Sequence, residues 1–484
     1  MMAGVMASLD KASVRAQVEK IKRDFEQLRR DGKVTVEVQA IMSSMLMMIE
    51  LILAIFLERA TKKNSGNSSI PPSQTDKDNS SLPDPGSKDK GKNPDGEKVR
   101  NRRTRETVTV ASVHFCDTCG ADLEQVACTH ERRTKIDIVF EKVVEHVDAE
   151  IKQCPSCERT VKGKFPSDMP GPLQYGLGVQ AFIINLLACQ MVALKRAQAL
   201  VYSLIDVVIS EATMLQFVLR LHTALENWEV RATQKLLQEA VMHVDETSLR
   251  VEKTNYWIHV HSAGGITLKK LHRKRGKPAI EENNIIPQYR GNLIHDCWAS
   301  YFSYEHCGHG LCGSHLLREL TFVVDAHHYR WARRMKRLLQ GACKRVSDCP
   351  EKCLDGKEYA RLLKCYQKIL QDGTAQMPAI PDKPAGRRGK IAKSDAHNLL
   401  ERLQKHEASV LLFAKNPLVP FTNNRGERDL RMSKVKQKVS GCFRSEIYAH
   451  AYCRITSYLQ TMAYKGINPI IAIQMALAGE IGGE

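Results

Sequence analysis

The chain has 484 residues, enough for about three domains and a buried site, so a single small module is excluded. Seventy-two Lys plus Arg against 54 Asp plus Glu give a formal net charge of +18, a balance that favours a polyanionic partner, nucleic acid first. Fifteen cysteines, an odd number without a secretory leader, argue against a disulfide scaffold and for thiols that bind metal, pack in cores or stay free in a reducing compartment.

The opening MMAGVMASLDKASVR lacks a basic segment followed by an apolar one, so no export signal is expected. Val14, Val18, Ile21, Phe25 and Leu28 step by four and three. After Asp31-Gly32 the spacing returns at Val38, Ile41, Met45, Met48, Ile52 and Ile55. This a/d seam predicts two short helices over 1–60: a dimerising zipper, an intramolecular hairpin, or an amphipathic pair packed on the rest of the protein. The apolar stretch Ile41 to Leu57 is short for a membrane span and carries Ser43, Ser44 and Glu50, so no transmembrane helix is expected. Residues 61–106 are rich in Ser, Asn, Pro, Gly and Lys and read as a disordered basic linker, with or without a hold on phosphates.

Cys116-x-x-Cys119 and Cys154-x-x-Cys157 are two knuckles that together supply one tetrahedral, structural zinc. With the alternating IDIVFEKVVEHV between them, they predict a zinc ribbon over 107–165 with strands between the knuckles. Prolines and glycines from Gly163 to Pro172 mark a boundary. A helical region over 166–236 follows, in which a turn near Val208 to Ser210 separates two helices, either a DNA-end-reading helix-turn-helix or core helices.

From Ala240 the pattern changes to short strands, AVMHVDET, NYWIHVHSA, TLKKLHRKRG and GNLIHDCW. The first three can join as a meander, so a mixed sheet is expected. Asp245 and Asp296 each end an apolar strand, where Asp is depleted. Far along, NNRGERDLRMSKVKQKVSGCFRS predicts a helix capped by Asn423 or Asn424, with Glu427 in its first turns and Arg431 and Lys434 on the same face. The segment Arg425 to Arg444 carries seven basic and two acidic residues. Arg428, Arg431, Lys434, Lys436 and Lys438 thus form a phosphate-facing surface. Two strand-end aspartates and a helical glutamate are what two Mg2+ or Mn2+ ions need for in-line attack on a phosphodiester.

The strings VDET, HDCW, GLCGSHLLREL and NNRGERDLRMSKVKQKVSGCFRS, with KNSGNSSIPPS and the paired cysteines, resemble the transposases of the bacterial insertion sequence 66 family. The resemblance spans most of the chain. It implies a D-D-E recombinase with a ribonuclease-H-like catalytic core, a catalytic triad of Asp245, Asp296 and Glu427, and a helical insertion at about 321–416. The Gly-Gly-Gln-Pro-Gly-His type string often seen after the linker in relatives is replaced here by DGEKVRNRRTR. Cys312 and His315 resemble the C-x-x-H of several D-D-E groups, which shapes the catalytic domain or holds DNA flanks; His306, Cys307 and His309 close by raise a second zinc. Lys434 resembles a lysine that contacts the phosphate of the transposon end.

The expected architecture is multidomain α+β: coiled-coil helices at 1–60, basic linker at 61–106, zinc ribbon at 107–165 and end-binding helices at 166–236. A ribonuclease-H-like α/β core at 237–320 and 417–460 is split by a helical insertion at 321–416, and a C-terminal tail follows at 461–484. Within the insertion, AHHYRWARRMKRLLQGACKRV and DKPAGRRGKIAKS are candidate DNA-backbone contacts. Trp298 and Trp331 either stack on a splayed base or lie buried. The implied function is metal-dependent cleavage at element ends and strand transfer of the 3′-hydroxyl into target DNA. Its setting is a bacterial cytoplasm near the nucleoid, as a homo-oligomer with double-stranded DNA and accessory proteins. A catalytically silent DNA-binding regulator and a structure-specific nuclease are the alternatives.

Overall fold

The computed structural model describes residues 11–61, 109–136, 138, 140–381 and 391–481. The linker expected at 61–106, apart from Thr61, and residues 382–390 of the second basic segment lie outside them. The chain divides into two compact units, residues 77–145 and, in the larger, 1–76 with 146–484.

The larger unit opens with α1 (Lys11–Arg30) and α2 (Val36–Ala60). They turn at Asp31-Gly32 and are joined by a Lys22–Glu50 ion pair at 2.7 Å. Leu46, Leu51, Ala54 and Leu57 are buried, whereas Val38, Ile41, Met45, Met48 and Ile52 of the expected seam are exposed. Helix α2 is apolar on nearly every side, so spacing could not say which face turns inward. Glu58 decides it. Its buried carboxylate accepts from His327 Nε2 at 3.1 Å and from the backbone amides of Asp395 and Ala396 at 2.6 and 2.9 Å. Val36–Arg59 is also long and apolar enough to cross a membrane by length and composition. That is longer than the apolar run read from the sequence, because Val36, Glu37 and Gln39 continue the helix.

Strands β1 (Ile151–Gln153) and β2 (Thr160–Lys162) form an antiparallel hairpin. Residues 140–145 of the smaller unit, expected as part of a strand between the knuckles, carry no strand. Four helices follow: α3 (Leu177–Ala188), α4 (Leu194–Ile205), α5 (Glu211–Ala224) and α6 (Glu226–Leu237). Ser210 caps α5 by accepting from Thr213 N at 3.0 Å, as the sequence leads one to expect of that turn. Their buried Ile183, Met214, Leu221 and Leu236 share one core with Met242 and Val244 of the sheet and with the C-terminal helices.

The main sheet has five strands in the order β5-β4-β3-β6-β7. Strands β3 (Val241–Val251), β4 (Thr254–Ala263) and β5 (Ile266–His272) form the expected antiparallel meander. After α7 (Lys277–Asn283), β6 (Asn292–His295) pairs parallel to β3, and β7 (Gly308–Leu311) parallel to β6. Residue 241 stands opposite 292 and 243 opposite 294.

Helices α8 (Gly313–His327), α9 (Arg330–Asp348), α10 (Gly356–Gln376), α11 (Asp395–Lys405), α12 (Glu407–Val410) and α13 (Leu412–Lys415) leave β7 and build a second core around Trp331, Leu339, Tyr366 and Leu400. Trp331 is fully buried, which removes it as a surface for a base. The amphipathic α9 buries Trp331, Met335, Leu339 and Ala342 and turns Arg333, Arg337, Lys344 and Arg345 to solvent.

The chain returns to the sheet with α14 (Asn424–Ser440), α15 (Glu446–Tyr464) and α16 (Pro469–Ala478). Strand β5 is an edge, and α15 covers it: Ser457 Oγ accepts from Lys269 N at 2.8 Å and Thr461 Oγ1 from Thr267 N at 3.1 Å. Outward amides that would template another strand are thereby used. The segment 461–484, expected as a tail, holds the last turn of α15 and all of α16. Ala472, Ile473 and Ala476 there are buried, because the run PIIAIQMALA is apolar enough to join the core.

Burial alone would raise the Glu58 carboxyl, yet the His327 ring and the two α11 amides hold it below the ordinary value of 4.5. Its contribution is therefore present above about pH 4.5 and lost as pH falls through the depressed value. Glu58→Ala should cost about 3 kcal/mol in urea unfolding at pH 7, and the gap to the parent should shrink below pH 4. An equally stable variant at pH 7 would remove this carboxylate as the anchor of the hairpin.

Candidate active site

The offset between β3 and β6 is constant along their paired rows, and carried two residues further it sets Asp296 beside Asp245. Asp296 follows the end of β6 as expected, whereas Asp245 lies inside β3, which runs on to Val251 paired with β4. It is level with the carboxyl ends of β6 and β7, where open sheets leave a crevice. Asp296 is fastened by Trp298 N, which donates to its Oδ1 at 3.1 Å. The turn that allows this puts Cys297 at φ +75°, a left-handed conformation that a side chain makes unfavourable by about 1–2 kcal/mol.

Helix α14 lies along β3 on the face that carries His243 and Asp245. Asn423 stands at its N-cap position without bonding the helix amides, contrary to the capping expected. Its side chain reaches the sheet instead: Nδ2 donates to Val244 O at 2.8 Å and Oδ1 meets His243 Nδ1 at 2.8 Å. Gly426 lets the backbone close on the strand, since a Cβ there would stand 3.4 Å from Asp245 Cβ and 3.1 Å from Asn423 Oδ1. One turn on, the fully buried Asp429 accepts from Ser262 Oγ at 2.7 Å, Thr267 Oγ1 at 2.8 Å, Tyr464 at 2.8 Å and Gln460 at 3.2 Å. The sequence reading missed Asp429; its signal was a second acid beside Glu427 in an otherwise basic helix.

Glu427 lies between these two anchors. Its half-buried carboxylate turns toward the start of α8. Cys312 Sγ donates to Oε1 at 3.9 Å, His315 Nδ1 lies 3.4 Å from the same oxygen, and Arg318 Nη2 lies 3.9 Å from it. Cys312 also accepts from Asn423 N at 3.1 Å, tying α8 to the head of α14. Gly313 is required beside it, because a Cβ would fall 2.2 Å from the Phe421 ring. Burial pushes the Cys312 thiol up, and burial with Arg318 and Lys434 pushes His315 down to about 4, leaving a neutral ring. Among the described residues, Cys312, His315 and Glu427 form a group of possible ligands whose atoms lie within 4.8 Å of one another. Asp245, Asp296 and Glu427 do not close to that spacing. His306, Cys307 and His309 do not gather either; they bond the carbonyls of Ile286, Tyr289 and Tyr304.

The aspartate pair is electrostatically loaded. Burial, Glu246 and Asp296 push the Asp245 carboxyl well above its ordinary value, with Lys434 acting in the opposite sense. Burial and Glu246 push Asp296 up to about 6. Carboxylates that hold protons for want of positive charge are a donor set that fits hard divalent cations. Glu246 itself is buried and held by Arg275, whose Nε and Nη2 donate to Oε1 at 2.9 and 2.6 Å, and by the Tyr301 hydroxyl at 2.6 Å on Oε2. This second acid went unread in VDET.

Of the basic residues expected on α14, Arg431 and Lys438 are exposed and Lys434 is half-buried, close enough to act on Asp245 and His315. Arg428 donates to the Tyr464 hydroxyl at 3.1 Å, and Lys436 rests 5.9 Å from the centre of the Phe443 ring.

The two cysteine pairs, each within its own unit, fold alike. Cys116 N donates to Ala121 O and Gly120 N to Cys116 O; Cys154 N donates to Arg159 O and Glu158 N to Cys154 O. Gly120 and Glu158, at matching positions, have φ of +70° and +55°. The amides of Thr118 and Cys119 lower the Cys116 thiol, and those of Ser156 and Cys157 lower Cys154. Each pair has the amide-facing sulfur that a metal thiolate requires.

A family model described as transposase IS66 family matches residues 172–451, more than half of the chain. No curated protein matches it.

The folded chain holds the Asp296 proton to about pH 6, whereas the unfolded chain releases it near 3.8. Protein freed of divalent ions should thus lose stability as pH rises between these values. Asp296→Asn should melt with the parent below pH 4 and above it in temperature beyond pH 6. Identical melting curves at both ends would mean that Asp296 carries no such strain.

Proposed function

The chain belongs to the transposase IS66 family, and on that premise we propose that this DNA-processing enzyme cuts at the ends of its element and joins the freed 3′-hydroxyl to target DNA through Asp245, Asp296 and Glu427. The observation that carries the reading is the approach of Asp296 to Asp245, two rows beyond the last β3–β6 pair and close enough to raise its carboxyl, with Gly426 of α14 against Asp245. The strand order, three antiparallel strands followed by two parallel ones on the far side of the first, supports a ribonuclease-H-like core.

Two divalent cations, magnesium or manganese, supply when bound the polarisation that makes water or a 3′-hydroxyl an effective nucleophile and offsets charge on the departing oxygen. Asp245 and Asp296 would hold them, with Glu427 completing the set. Asn423 and Asp429 fix the depth of Glu427 along the strand, and its carboxylate, which rests against Cys312, His315 and Arg318, would have to turn from them to complete the set. Lys434 sits near enough to offset the aspartate charge and to meet a phosphate. Arg431 and Lys438, exposed on α14, give the duplex a cationic bed, with Arg428 and Lys436 at its margins. The exposed row Val38, Ile41, Met45, Met48 and Ile52 supports self-association, which pairing two element ends requires. The like folding of the two cysteine knuckles supports structural zinc binding by the Cys116–Cys119 pair and by the Cys154–Cys157 pair, each taken by itself.

Labelled duplex carrying the terminal repeat that borders this coding sequence should be cut by the parent with magnesium or manganese. Asp245→Asn, Asp296→Asn and Glu427→Gln should each lose at least about a hundredfold in rate while still binding the duplex. Undiminished cutting by any one removes that residue from the triad. Zinc measured after dialysis should fall in Cys116→Ser and Cys154→Ser alike; a zinc-free parent overturns the zinc reading.

A further inference from the structure

Glu246 and Arg275 form an asymmetric pair. The carboxylate is 1% exposed and the guanidinium 41% exposed. Burying the acid makes a counter-ion necessary but does not require that ion to be displayed, and Tyr301 already satisfies the second carboxylate oxygen. Only the acid is inside here, and the cation is displayed.

The guanidinium is held flat as well as charged. It lies 5.0 Å from the Trp257 ring centre and 4.6 Å from that of Trp298. Two of its five N–H groups are spent on Glu246 Oε1, and Nη1 has no hydrogen bond among the described residues. Trp298, one of its two stacking partners, is the residue whose amide fixes Asp296. A chain of contacts therefore runs from Asp296 through Trp298 and Arg275 to Glu246, whose backbone amide donates to Asp245 Oδ1 at 2.9 Å. The loop carrying Arg275, His272 to Lys277, leaves β5 at the edge of the sheet where the aspartates emerge, and Lys274 and Lys277 beside it are exposed. A planar fork with open donors and fixed orientation suits a phosphate oxygen pair.

We propose that Arg275 is a DNA-binding residue of the active site, presented by Glu246, Trp257 and Trp298 to a backbone phosphate next to the aspartate pair. The inference rests on the transposase reading above and adds to it a contact outside α14. Arg275 positions the strand and takes no part in proton transfer. Glu246 is a positioning residue that acts through it.

The test is the salt dependence of binding to a fluorescein-labelled mixed-sequence duplex, in calcium to prevent cutting. Loss of one phosphate contact should lower the slope of log affinity against log salt by about 0.9, with roughly tenfold weaker binding at low salt. Arg275→Gln alone strands the Glu246 carboxylate. The slope is therefore also read on Glu246→Gln/Arg275→Gln, which leaves no buried charge unpaired. The same reduction in both variants supports the contact. A parental slope in the double variant overturns it and leaves Arg275 as the counter-ion of Glu246. A parent with no salt-dependent binding overturns the transposase reading itself.

Discussion

The attachment of one helix to one strand governs this molecule. Helix α14 is strongly basic, and its first turns approach a strand that carries a carboxylate. Two side chains make that approach permanent. Asn423 exchanges hydrogen bonds with His243 and Val244 at the head of the helix, and Asp429, nearly two turns later, gathers hydroxyl and amide donors from β4, β5 and α15. A fully buried carboxylate is tolerable only when its lone pairs are met, so the helix has little freedom to slide or rotate. Glu427 inherits its position from these neighbours.

The same economy explains how acids accumulate at one sheet edge without disrupting it. Asp245, Glu246 and Asp296 crowd together, yet only Glu246 receives a full cationic partner within the fold. The other two keep raised proton affinities. Stability is thus given up at this edge and recovered in the two cores described around the sheet and the α8–α13 helices.

Much of this was legible in the residues. Alternation in AVMHVDET and NYWIHVHSA exposed the meander, and the two aspartates stood out because aspartate is depleted in strands. That β3 runs six residues past Asp245 was not legible, because VDETSLRV has no turn signal to end it or apolar run to extend it. The fifth strand, GHGL, was invisible, since glycine has little strand propensity and Gly308 and Gly310 are there to admit Asn292 and Ile294 closely. Arg275 and Glu246 sit 29 positions apart, and no local spacing announces such a pair. The buried face of α2 was unreadable for another reason: a helix apolar all round gives periodicity nothing to select. Nor could the residues reveal that Asn423 would prefer the strand to its own helix, because both partners use the same side-chain atoms.

The anchor of the N-terminal hairpin has a temporal side. Glu58 caps α11 across 337 and 338 positions of sequence, and at ~5–20 residues per second a ribosome needs roughly 17–70 seconds to deliver those amides. Until then α2 has α1 beside it, through Lys22 and Glu50, and gains His327 after 269 positions, but the two amides that complete the carboxylate's set come last. The final seating of the hairpin is therefore a late event of synthesis, timed by the arrival of α11.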